Sequence, residues 1–73
     1  MDHLLHRALE NKARLEMIYV DEQGRYSQRV IRVVKINTHD FLAFCYTKRA
    51  VRLFKKDQVL SVLLLKQGKR FEA

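Results

Sequence analysis

The apolar residues of this chain change their spacing once, near residue 13, and this change restricts the fold more than any other feature. Before it, they recur at the spacing of one helix face, which predicts a helix over residues 2–12. After it, β-branched and aromatic residues alternate with polar ones, which predicts strands. A chain of 73 residues has room for one domain. Helix and strands must therefore share a single small core.

Turn-forming residues divide the second part of the chain into five predicted strands. Gly24 supplies the positive φ that a tight hairpin turn needs after the first strand. In the long second strand, the adjacent apolar pairs Val30-Ile31 and Val33-Val34 predict a bend or bulge. The predicted strands cover about residues 14–20, 25–37, 41–47, 51–55 and 59–65.

Five short strands cannot enclose a core while the sheet stays flat, and closure would remove the exposed edges. We therefore expect a mainly β fold: an N-terminal helix followed by a strongly bent, five-stranded antiparallel barrel of the Sm-like or SH3-like kind. Lys56-Asp57-Gln58 is expected to form one 3₁₀ turn before the last strand. The expected single domain covers residues 1–66, and a polar tail covers residues 67–73.

The positive charge lies in one part of the chain. Residues 1–24 hold three basic and five acidic side chains, whereas residues 25–73 hold twelve basic and three acidic ones. This asymmetry predicts an anionic partner: nucleic acid, a nucleotide or an acidic protein surface. On charge alone, an equally supported interpretation is that Lys and Arg only keep a small β domain soluble and protect its edges.

No residue pattern indicates an enzyme, a metal site or a cofactor. His3 and His6 are three residues apart on the helix but lack a third ligand, so a solvated face is expected. Cys45 lies in an apolar strand and is expected to be an inert core thiol. A single cysteine and the absence of a long apolar segment predict a cytoplasmic protein that does not enter a membrane.

Three segments resemble the WYL domain of bacterial transcriptional regulators. They are Arg29-Val-Ile-Arg-Val, Asp40-Phe-Leu-Ala-Phe-Cys-Tyr46 and Arg52-Leu-Phe-Lys-Lys-Asp-Gln-Val59, and the likeness extends over residues 4–63. The resemblance implies an Sm-like, non-enzymatic domain that senses or binds nucleic acid or a nucleotide-like ligand in regulation. No helix-turn-helix pattern accompanies it, which implies a free-standing domain.

The chain departs from the family pattern in three places. It has no proline and no tryptophan, and Gln58 stands where the family has its last Arg. The layout is also similar, more loosely, to Hfq-type Sm proteins, which bind RNA as rings. A third alternative is a module for protein–protein interaction or self-association without a small ligand, indicated by the apolar last strand.

The candidate binding residues are cations and aromatic rings around the predicted hairpins. Arginine offers a planar fork for phosphate and lysine a compact charge, and an exposed ring can stack on a base. Phe44 and Phe54 are expected in the core, whereas Phe41 and Tyr46 are the candidates for exposed rings. The predicted site, expected to form a single basic groove, comprises Arg29, Arg32, Phe41, Tyr46, Arg49, Arg52, Lys55 and Lys56.

Overall fold

A computed structural model describes residues 2–65. It contains one helix, five strands and a 3₁₀ turn, in the order α1 (Asp2–Asn11), β1 (Arg14–Val20), β2 (Tyr26–Ile36), β3 (Asp40–Cys45), β4 (Ala50–Lys55), the 3₁₀ turn (Lys56–Gln58) and β5 (Val59–Leu64). The tail predicted for residues 67–73 lies outside the described residues. The predicted fold class, a helix followed by five antiparallel strands, is confirmed.

The strands form one antiparallel sheet in the order β4-β3-β2-β1-β5. Every neighbouring pair is antiparallel, and no ladder joins β4 to β5 within the described part of the chain. Within the described residues the sheet is thus bent but not closed, and β4 and β5 are its two edge strands. The predicted bulge is present in β2, where the pairing with β3 shifts between Val33 and Lys35.

The junction between α1 and β1 explains how the helix reaches the sheet. The N–H of Lys12 donates to the carbonyl of Leu9 (3.3 Å), and the N–H of Ala13 donates to that of Ala8 (3.0 Å). This pair of bonds is a Schellman motif, with Lys12 in the left-handed position at φ 54° where glycine is usual. The turn directs Leu5 and Ala8 into the core.

The core lies between α1 and one face of the sheet. Because side chains alternate along a strand, every second residue points to this face. Leu15 and Met17 of β1, Ile31 of β2 and Phe41 of β3 are fully buried there. Phe54 of β4 completes the aromatic part of the core, its ring centre 5.7 Å from that of Phe41. Cores this small need their large apolar side chains inside.

The β1–β2 hairpin follows the predicted turn chemistry. The side-chain oxygen Oδ1 of Asp21 accepts hydrogen bonds from the N–H groups of Gln23 and Arg25, each 2.9 Å long. Gly24 has φ 83°, as the turn prediction required.

No helix among residues 2–65 combines the length and apolarity that a membrane crossing needs.

Candidate anion-binding cleft

Arg29 and Arg52 lie on the core-facing side of the sheet, at the end where the core opens to solvent. Arg29 is two residues before the buried Ile31, and Arg52 is two residues before the buried Phe54, so alternation gives each pair one face. Together with Lys48, these arginines border a cleft of about 320 Å³, which we call the cationic cleft. It is lined by Tyr19, Arg29, Lys48, Arg52, Leu53 and Phe54.

The guanidinium of Arg29 is held from three sides. Its Nε donates to Ser27 Oγ (3.1 Å), and its Nη1 donates to Cys45 Sγ (3.7 Å). Its central carbon lies 5.8 Å from the centre of the Phe54 ring, within the range of a cation–π contact. A side chain that is already ordered loses little conformational entropy when a ligand binds. Arg29 is therefore a preorganised contact.

The apolar wall of the cleft is also fixed. The rings of Tyr19 and Phe54 meet edge to face, with centres 5.1 Å apart. The Tyr19 hydroxyl donates to Gln58 Oε1 (3.0 Å) and accepts from the backbone N–H of Lys55 (3.2 Å). Gln58 thus serves as an anchor for this wall.

The cleft has an excess of positive charge. Its lining residues within 2–65 include three cations and no carboxylate, and the acidic side chains of Asp21 and Glu22 line an adjoining cleft that shares Tyr19 and Leu53 with it. The ion pairs found among residues 2–65 join Lys55 to Glu22 (3.9 Å) and Lys56 to Asp2 (3.3 Å), so neither involves the cleft. A concave surface lined by charges of one sign attracts the opposite charge. The arrangement can hold an anion.

Cys45 lies behind Arg29, at the start of the turn that carries Lys48. Burial raises the pKa of its thiol, but the backbone N–H groups of Lys48 and Thr47 and the guanidinium of Arg29 more than offset this. The pKa of Cys45 is therefore lowered from its usual value. The thiol is fully buried, as the sequence predicted.

The single basic groove predicted from the sequence is wrong, because the structure distributes its members over several places. Arg32 and Tyr46 line a second cleft, which does not include Arg29 or Arg52. The reason is the strand period: Arg29 and Arg32 are separated by an odd number of positions in β2 and so point to opposite faces.

Three other predicted cations also lie away from the cationic cleft. Lys55 pairs with Glu22, and Lys56 contacts both Asp2 and the carbonyl oxygen of Thr38 (3.1 Å). Arg49 is exposed in the β3–β4 turn at φ 56°, where its N–H donates to the carbonyl of Cys45 (2.6 Å).

The ring predictions have mixed outcomes. Phe41 is fully buried, so the prediction of an exposed ring there is wrong; its place opposite Phe54 in the β3–β4 ladder directs it into the core. Tyr46 is exposed, as predicted. Phe54 is buried as predicted, whereas Phe44, also expected in the core, is only half-buried.

Four lining residues were absent from the predicted set: Tyr19, Lys48, Leu53 and Phe54. Lys48 was recognised only as a neighbour of the basic cluster, because its turn gives no alternation that fixes its direction. Tyr19 shares the buried face of β1 with Leu15 and Met17, and this alternation was the available signal.

Among residues 2–65, no group of three His, Cys, Asp or Glu side chains could hold a metal ion.

The N-terminal helix, the bent five-stranded antiparallel sheet and the 3₁₀ turn before the last strand define a mainly β, barrel-like fold. A solved structure with this fold is proteasome accessory factor B/C (PafBC) of Arthrobacter aurescens, with a TM-score of 0.81 and 22% sequence identity. The match covers 93% of this chain but only 11% of the PafBC chain. No family model matches the sequence, and no curated protein is significantly similar to it.

The likeness to PafBC concerns the fold. At 22% identity it establishes the fold of this chain, and the chain spans about a tenth of the length of PafBC.

Proposed function

We propose that this chain is a WYL-like regulatory or sensor domain, without catalytic activity, that binds nucleic acid or a nucleotide-like anion in the cationic cleft. The observation that carries the proposal is the grouping of Arg29, Lys48 and Arg52 around one concavity. The resemblance of its sequence segments to the WYL domains of transcriptional regulators supports a role in regulation. We expect the domain to act in the cytoplasm.

The chemistry of the cleft favours a phosphate group with an attached apolar or aromatic body. Arginine forks bind phosphate oxygens through paired N–H groups, and Lys48 adds a mobile charge at the rim. Arg29 is already oriented by Ser27 and Cys45, so it supplies a fixed first contact. Tyr19 and Leu53 offer a surface for a sugar or base.

The proposal is tested by NMR titration of the ¹⁵N-labelled protein with short single-stranded DNA, short single-stranded RNA and a cyclic dinucleotide. At least one should give saturable shifts at Arg29, Lys48 and Arg52. The Lys48→Ala/Arg52→Ala double variant should lose this binding, because two of three cations are gone. The control Arg7→Ala/Lys35→Ala removes the same charge from exposed positions outside the cleft and should bind as the wild type does.

Equal binding by the two double variants would show that net charge, not the cleft, attracts the ligand. If none of the three ligands shifts the cleft residues, the proposal fails. Folding of each variant is checked by its thermal unfolding curve, so that loss of binding is not confused with loss of structure.

Self-association is a second candidate function, favoured by the edges of the sheet. Within residues 2–65 neither β4 nor β5 has a second neighbouring strand, and β5 exposes Leu60 and Leu63, which are 53% and 60% accessible. Unpaired edges with apolar side chains can pair with another chain. Light scattering at several protein concentrations tests this candidate. A constant monomer mass would exclude both the self-association module and the Hfq-like ring.

A further inference from the structure

A second cleft, larger than the cationic cleft and sharing none of its lining residues, lies between the end of α1 and strands β2, β3 and β4. It encloses about 480 Å³ and is lined mainly by apolar and aromatic side chains, with cations beside them. This volume is within the range of about 300–1,000 Å³ that is usual for small-molecule sites. The residues used below are Lys12, Arg32, Phe44, Tyr46 and Val51.

Two arginines face each other beside this cleft. Arg14 of β1 is directly opposite Arg32 of β2 in the antiparallel ladder, so their side chains lie on the same face. Like charges in this position repel each other and destabilise the sheet. Neither is in an ion pair with a carboxylate of residues 2–65. Glu16, the acidic residue of β1, is occupied by a hydrogen bond from Gln28.

The apolar part of the cleft is built around two rings. Phe44 and Tyr46 meet edge to face with centres 5.1 Å apart, and the central carbon of the Arg14 guanidinium lies 5.6 Å from the centre of the Tyr46 ring. Val51, the ladder partner of Phe44, is 52% accessible. An arginine pair that makes no ion pair within residues 2–65, and whose nearest acidic neighbour in β1 is Glu16, thus adjoins a surface suited to an apolar body.

We propose that this second cleft binds a small amphipathic carboxylate, an aryl or alkyl acid, with its charged group at Arg32 and Lys12 and its apolar body against Phe44 and Val51. Arginine and carboxylate form paired, charge-assisted hydrogen bonds, and the bound anion relieves the repulsion between Arg14 and Arg32. A second copy of this chain fits less well, because it carries a net charge of +7 itself. The site is independent of the cationic cleft.

The test uses 2-naphthoate as the probe, added to the ¹⁵N-labelled full chain and followed by NMR. We expect saturable shifts at Phe44, Tyr46 and Val51, with Arg29 and Arg52 unaffected. Two comparison compounds separate the contributions: 2-naphthylmethanol keeps the body without the charge, and acetate keeps the charge without the body. Each should bind at least about tenfold more weakly, since a charge-assisted contact or a buried ring contributes roughly 1.4 kcal/mol or more.

Variants at Arg32 complete the test. Arg32→Gln should weaken naphthoate binding about tenfold. Arg32→Glu should abolish it while the fold persists, because the new carboxylate lies opposite Arg14 and replaces repulsion by attraction. The control Lys35→Gln removes an exposed charge from the same strand outside the cleft and should leave binding unchanged.

Three results would overturn the proposal: equal affinity for naphthoate and naphthylmethanol, shifts confined to the cationic cleft, or wild-type affinity in Arg32→Glu. Absence of saturable shifts at the second cleft counts equally against it. The cationic cleft has a separate test, which uses nucleic acids and the variants at Lys48 and Arg52, so failure of one proposal is distinguishable from failure of the other.

Discussion

Neutralising Arg52 should reduce the salt dependence of oligonucleotide binding by a calculable amount. A cation that contacts a phosphate displaces condensed counterions, so the logarithm of the affinity falls linearly with the logarithm of the salt concentration. The cationic cleft presents three such cations, Arg29, Lys48 and Arg52. Removing one of them should therefore change the slope of log affinity against log salt by the contribution of one phosphate contact.

The magnitude follows from the number of cations. For a single strand, each neutralised phosphate contributes about −0.7 to the slope, so three contacts give a slope of about −2. Between about 50 and 200 mM salt, the wild-type affinity should then fall roughly twentyfold, and the affinity of Arg52→Gln only about sevenfold. The difference between the two proteins is largest at low salt.

Fluorescence anisotropy of a labelled single-stranded oligonucleotide measures these affinities across the salt series. Arg7→Gln is the matched control, because it removes the same charge from an exposed position of α1 outside the cleft. The control should reproduce the wild-type slope. Identical slopes for wild type and Arg52→Gln, or a wild-type slope close to zero, would refute the assignment of Arg52 to a phosphate contact.

Three further predictions concern stability. Phe41→Ala should lower the free energy of unfolding by about 3–5 kcal/mol in urea denaturation, because it empties a fully buried site; a loss below about 1 kcal/mol would contradict that burial. Lys12→Gly should raise that free energy by about 1 kcal/mol, since glycine adopts the left-handed φ without steric cost; a decrease would contradict the Schellman reading. For Cys45, whose pKa is lowered in the folded state, the unfolded chain keeps a proton that the folded chain has lost. The free energy of unfolding of the wild type, relative to that of Cys45→Ala, should therefore rise with pH between the lowered pKa of Cys45 and its usual pKa. Urea denaturation across this pH range measures the difference, and a difference that stays constant or falls would contradict the prediction.

Much of the fold was predictable because it depends on local patterns. The helix, the hairpin turn at Gly24 and the bulge near Val34 all follow from spacing and turn chemistry within a few residues. The 3₁₀ turn at Lys56–Gln58 was also expected and is confirmed. These features need no knowledge of distant partners.

The pairing of the sheet edges was not predictable in the same way. An expectation of closure rests on the general cost of exposed edges. Whether β4 and β5 meet depends on the summed twist and bend of all five strands, and in this structure they remain apart.

The candidate site shows the same division between local and long-range information. The opposite directions of Arg29 and Arg32 follow from their odd spacing in β2 and could be inferred from the sequence. The burial of Phe41 could not, because an apolar ring at the start of a strand gives no indication of which face will be covered by α1 and Phe54.

The sequence by itself determined the kinds of element, their order and the excess of cations after residue 24, since each depends on composition or on short-range periodicity. Only the tertiary structure decided which cations share a cleft. Arg52 approaches Arg29 through the registers of the β2–β3 and β3–β4 ladders, and Lys48 joins them through a turn. Ladder registers join residues about twenty positions apart and are set by packing of the whole core, so no local pattern contains them.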